Sequence, residues 1–193
     1  MKTKLVPFLV TLILGCAWAG AQAAGTPQRS PELQRLVKAL SGTWSIAIRI
    51  EPSDQIPGGG LATGEEVWTP GPGGLSLIEN YHSTGAEGEM AGIGVAWWDV
   101  NTGRFQVTWC DNTNPTGCTV LKHGAKWEGD QIVAVDEWDS AGKRTTSKEV
   151  FSNITRNSFT QTLYQGETGG DLKRLMTIKA TRKPAPPAAG SAP

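Results

Sequence analysis

The sequence predicts an all-β chain: an up-and-down antiparallel barrel of about ten strands behind one short N-terminal capping helix. Three observations carry this. Segments of alternating apolar and polar residues recur at intervals of about 8–15 residues, with turn residues between them. No helical periodicity appears after residue 42, so successive strands must be antiparallel neighbours, and closing the sheet removes its exposed edges. The composition agrees: among 193 residues, Gly 24, Pro 12 and Trp 8 stand against Phe 4 and Tyr 2, a turn-rich chain with unusually many indoles. Lys+Arg 18 balance Asp+Glu 18 for a net charge of +0, and without a basic patch nucleic acid is excluded as a partner.

Residues 1–23 read as a signal peptide. Lys2 and Lys4 precede the apolar run Leu5–Leu14, and Ala21-Gln22-Ala23 supplies a small-x-small cleavage site. The run is about half the ~20 residues that a transmembrane span requires. The expected localisation is therefore export, to a bacterial periplasm or the extracellular space. Leu12-Ile13-Leu14-Gly15-Cys16 resembles a lipoprotein signal, so a lipid anchor at Cys16 is the alternative. Residues 24–30 form a linker. Ser30, Pro31 and Glu32 then open a helix as N-cap, N1 and first-turn acid, with Leu33, Leu36, Val37 and Leu40 on one face until Gly42 ends it. The first strand alternates strictly, placing Trp44, Ile46, Ile48 and Ile50 together. Further strands are expected at 61–69, 74–83, 91–100, 104–110, 118–124, 131–138, 144–152, 157–164 and 172–182. The barrel domain thus spans 31–183, and the Pro/Ala-rich tail 184–193 cannot form a core.

Strand parity assigns faces. Phe105, Val107 and Trp109 point inward, which turns Cys110 outward, where it can reach Cys118 on the next strand. In an oxidising compartment, two cysteines eight positions apart, without C-x-x-C spacing or a nearby zinc-binding pattern, read as a disulfide. Several strands carry one polar residue on their apolar face: Glu66 with Trp68, Glu79 with Leu77 and Tyr81, Gln161 with Phe159 and Leu163, Arg174 with Met176 and Ile178. Either a bulge turns each one out to solvent, or the interior holds a few polar groups. In the second case an inward Arg174 requires an inward acid such as Glu66 or Glu79, or an anionic ligand. Adjacent Trp97 and Trp98 must face opposite ways.

The order of Gly42-Thr43-Trp44, Gly73-Gly74, Tyr81, Gly92-x-Gly94, Trp98-Asp99, Thr108-Trp109-x-Asp111 and Thr181-Arg182-Lys183 resembles an uncharacterised bacterial family of secreted, lipocalin-like domains of unknown function. It departs from that pattern at Trp98, where the family usually has Tyr, and in its Cys110/Cys118 pair. The resemblance implies a calycin-type barrel with an interior cavity and no established activity. If ten antiparallel strands close the sheet, the end of 172–182 returns to Trp44, and Arg182, which shares parity with Met176, Ile178 and Ala180, is expected to stack on that indole. Lipocalin-like barrels show a similar Trp–Arg pairing, which the resemblance suggests here.

The function expected is binding of a small apolar or amphipathic ligand in the interior, with Trp68, Tyr81, Trp109 and Trp138 as walls and Arg174 as the polar contact. Alternatives are a non-catalytic cell-envelope interaction module with a filled barrel, and an enzyme using Glu66 or Glu79 as acid or base. No catalytic residues, cofactor or metal site are expected. His82 and His123 lie far apart in sequence, and no metal-spaced cluster or nucleophile motif occurs.

Overall fold

The computed structural model describes residues 28–184 apart from 54, 55, 87, 116 and 141, with only the backbone of Ser140. The segment expected to be a signal, with Cys16, most of the expected linker and nearly all of the tail lie outside the described residues. One helix, α1 (Pro31–Leu40), precedes eleven strand segments: β1 (Gly42–Ile50), β2 (Gly60–Pro70), β3 (Ser76–Gly85), β4 (Gly88–Asp99), β5 (Arg104–Asp111), β6 (Thr119–Val120), β7 (Ala125–Glu128), β8 (Gln131–Ser140), β9 (Lys143–Ser152), β10 (Ser158–Glu167) and β11 (Lys173–Arg182). All pairings are antiparallel and join successive strands, except that β7 pairs with β5 rather than β6 and that β11 returns to β1, closing the sheet. β6 and β7 both lie along β5, so they form one interrupted stave and the barrel has ten.

That interruption revises one expected element. In place of a strand over 118–124, the chain pairs for two residues, breaks at Leu121–Gly124, and resumes at Ala125. Gly124 has φ +62°, and a Cβ there would strike the Phe105 carbonyl oxygen, so the break needs glycine. β7 pairs with β8 only from Ala125↔Ala134 to Glu128↔Gln131. Beyond Ala134 one backbone bond remains, from the Val135 N–H to the Gly124 carbonyl at 3.2 Å, and then side chains take over: Asp136 Oδ1 accepts from the Lys122 backbone N–H at 2.7 Å, and Glu137 meets His123 Nε2 at 3.4 Å.

α1 plugs the end where β1 begins. Its Ser30 hydroxyl accepts from the Leu33 N–H at 3.0 Å, and Leu33, Leu36 and Leu40 are buried against the barrel floor. Trp44 is fully buried, donates from Nε1 to the Leu40 carbonyl at 2.7 Å, and meets Phe159 edge-on at 4.7 Å. The register places Arg182 opposite Trp44, with its guanidinium 3.9 Å from the indole centroid. That guanidinium also donates to the carbonyls of Ser41 (2.5 Å) and Arg156 (2.6 Å), tying the helix end to the closing strand. Gly42 has φ +133°, and any Cβ there would overlap Arg182 Nη1. Along the same cleft beneath the floor, the Arg35 guanidinium lies 3.7 Å from the Trp127 ring. Trp98 packs inward on Phe105 at 5.0 Å, while Trp97 stands 37% exposed on the outer face.

Candidate functional site

Above this packed floor the barrel is hollow. Inward side chains of β2–β5 and β7–β11 enclose a cavity of about 330 Å³, floored by Leu36 and Leu40 of α1. Its shape depends on β4. Gly92 and Gly94 face inward opposite Tyr81 and Glu79, so the Trp109 indole from β5 lies across β4 and reaches Tyr81, ring to ring at 5.8 Å. A Cβ on Gly92 would overlap that indole, and one on Gly94 would come 3.0 Å from a Glu79 carboxylate oxygen. On the other flank Trp68 faces Phe151 edge-on at 6.3 Å.

Of the residues expected to line a ligand space, Trp68, Tyr81 and Trp109 do so. Trp138 does not. It shares the face of Ile132, Ala134 and Asp136, all lining residues, but sits at the far end of β8 and is 38% exposed. Arg174 is not in the cavity either. The β10–β11 register slips between Leu163↔Met176 and Tyr164↔Arg174, leaving Leu175 as the extra residue. That bulge reverses parity, so Met176 faces in and Arg174 faces out. Its guanidinium pairs there with Glu51 at 2.9 Å.

The acids, by contrast, face in. Glu66 is fully buried beside the cavity, and its Oε2 accepts from Trp68 Nε1 at 3.1 Å while Oε1 has no partner. Glu79 and Glu149 line the cavity, with Glu149 accepting from Gln161 Nε2. Burial pushes the Glu66 carboxyl up to about 7, the Trp68 N–H opposing and the charge of Glu149 adding to the rise. Burial likewise holds Glu79 well above the usual carboxylate range, with Glu66 and Glu149 as like-charged neighbours. Glu149 is also raised by burial, offset in part by Gln161. Asp136 joins this group at the wall.

Sequence reasoning missed Glu149 and Asp136. β9 opens with a polar run, Lys143 to Lys148, that hides its alternation, yet Glu149 shares the face of Phe151, the signal that could have found it. Asp136 shares the face of Ile132 and Ala134 in the same way.

Outside the cavity, Cys110 and Cys118 form a disulfide where β5 leaves the barrel for β6. His82 pairs with Glu89 at 2.8 Å on the surface. Asp111, held low by hydrogen bonds from Thr113 and Trp109 that outweigh the effect of burial, accepts from Trp109 Nε1 at 2.8 Å and thereby fixes the indole.

Among solved structures, the chain is similar to Rv2717c from M. tuberculosis, at 15% identity over 81% of this chain and 100% of that one, with a TM-score of 0.53. It is also similar to the S-type phycobiliprotein lyase CPES from Guillardia theta, at 10% identity over 80% and 94%, with a TM-score of 0.52. At these identities the likeness shows the β-barrel fold alone. No curated protein sequence matches the chain. The model of one family, described as a protein of unknown function (DUF1579), matches residues 30–182, the whole barrel with its helix, and the chain belongs to that family.

Proposed function

We propose that the barrel binds a small apolar or amphipathic molecule in its interior. The observation that carries this reading is the cavity itself: about 330 Å³, walled by Trp68, Tyr81, Trp109, Phe151 and aliphatic side chains, with a few polar groups at fixed positions. Ligand sites in small barrels have this size and makeup. A barrel acting only as an envelope interaction module would have a filled interior. Export, to a bacterial periplasm or cell surface, is part of the proposal: the segment 1–23 has the pattern of a signal, and the Cys110–Cys118 disulfide suits an oxidising compartment. The test is titration with a hydrophobic fluorescent probe. Binding quenches the indoles of Trp68 and Trp109 and raises the melting temperature in proportion to the logarithm of probe concentration. If neither signal moves, interior binding is wrong.

A second reading has its own support. A carboxyl raised to about 7, as at Glu66, can give and take a proton near neutral pH, which suits acid–base catalysis. It requires that a bound ligand be recovered chemically changed, whereas binding alone returns it intact.

A further inference from the structure

The polar groups around the cavity are unequally satisfied, and the inequality has a direction. Every indole N–H on the wall is already spent: Trp68 donates to Glu66 at 3.1 Å and Trp109 to Asp111 at 2.8 Å. The Gln161 amide N–H is spent on Glu149. The acceptors are left over. Gln161 lines the cavity at 8% exposure, and its Oε1 has no hydrogen-bond partner. Glu66 Oε1, fully buried beside Trp68, also has none. Glu79, Glu149 and Asp136 add carboxylate oxygens to the lining, and no Lys, Arg or His side chain is among the described lining residues. An unmet buried acceptor is costly, and several together with no cation are more so. A molecule that brings donors and positive charge removes both costs.

We propose that the interior ligand carries an organic ammonium group, seated between Glu79 and Glu149 within reach of Gln161 Oε1, with its apolar part against Trp68, Tyr81 and Trp109. This deepens the interior-binding reading and rests on it. Ammonium supplies N–H donors and a charge in one compact group, and aromatic faces attract the same charge. Among the described residues no group of three or more His, Cys, Asp or Glu is spaced to hold a metal ion, and an organic cation also fills the apolar space that a bare ion leaves empty. A fatty carboxylate, the mirror-image amphiphile, brings one more acid to a wall that already carries acids on three strands and holds no cation.

The titratable groups facing the seat are Glu66 from β2, Glu79 and Tyr81 from β3, Asp136 from β8 and Glu149 from β9. The other lining strands and α1 contribute uncharged side chains apart from these. With the site empty, the three glutamates hold protons above the usual carboxylate range. Seating a cation favours their ionised forms, so binding releases protons.

The test compares n-octylammonium, n-octanol and n-octanoate, titrated into the purified full chain by calorimetry in two buffers of different ionisation enthalpy. Octylammonium is expected to bind at least about tenfold tighter than octanol, a charge-assisted against a neutral hydrogen bond. Its affinity should rise between about pH 6 and 8, with proton release, because the amine stays charged there while the glutamates ionise. In Glu79→Gln and Glu149→Gln, which keep side-chain size, the amine's advantage over octanol should collapse. Should either variant fail to fold, the wild-type comparison and its proton release decide alone. If octanol binds as tightly as the amine, or octanoate binds best, the ammonium assignment is overturned while interior binding stands. If none of the three binds, both fall together.

Discussion

The two halves of this barrel are built from the same strands and obey opposite rules. At the floor, the large polar groups are matched: the Trp44 N–H to Leu40, the Arg182 guanidinium to the Trp44 face and to the carbonyls of Ser41 and Arg156, with the Ser41 hydroxyl the exception. A few residues along the same strands, Glu66 and Glu79 are buried and Glu149 half-buried without a cation, and two buried oxygens of the wall, on Glu66 and Gln161, have no partner. The floor gains stability from satisfied contacts, whereas the cavity gives stability up by burying acids. In a small domain that contrast separates the part that holds the fold from the part that the proposed ligand would meet.

The contrast can be broken from the floor. Trp44→Ala removes the indole that contacts Leu40, Phe159 and Arg182, and should cost about 3–5 kcal/mol in urea unfolding. A smaller loss would show that the floor is less rigid than its contacts indicate. At the other end, replacing Cys110 and Cys118 by serine opens a short loop and should cost about 2–3 kcal/mol, seen as a lower urea midpoint in the oxidised protein only.

The third prediction concerns the acids. Carboxyls whose folded pKa lies above the unfolded value keep their protons on folding, so they stabilise at low pH and lose that contribution as pH rises through the folded pKa. For Glu66 the window runs from about 4.5 to about 7. Ligand-free protein should therefore lose about 1–3 kcal/mol between pH 5 and 8, and Glu66→Gln should flatten that slope. A stability that rises over this range would mean the acids are not buried as described. The smallest effect sharpens the floor: Arg182→Lys keeps the charge and loses the planar stack on Trp44, for about 0.5–2 kcal/mol.

Much of the architecture was legible because parity and turn chemistry are local. Trp44, Ile46 and Ile48 alternate without interruption, and the turn residues between strands fall where the hairpins form. Arg182 was legible for a related reason, since antiparallel closure brings the end of the last strand back to the start of the first. The failures were breaks in periodicity that no single segment displays. The bulge at Leu175 reversed the face of Arg174, and the interruption at Leu121–Gly124 moved half of one strand. Trp138 failed on length: its face was right, but β8 continues past the cavity. Glu149 stayed hidden because a polar strand segment carries no alternation to read.

The interrupted stave has a consequence for motion. From Asp136 to Ser140, β8 has a ladder partner in β9 and none in β6 among the described residues; what joins that flank is Asp136 on the Lys122 amide and Glu137 on His123. Side-chain stitches of this kind open at far lower free energy than a continuous ladder, so the flank forms a seam that can part while the other staves stay zipped. Native-state hydrogen exchange should find it: the Glu137 and Asp139 amides, on the edge that Val135 shares with Gly124, should exchange by local opening well ahead of their neighbours. Thr119, Leu121 and Asp136 belong both to the seam and to the cavity wall. Because the wall and the seam share these residues, each opening of the seam would also bare the side of the cavity to solvent, a way in that does not pass the barrel's end.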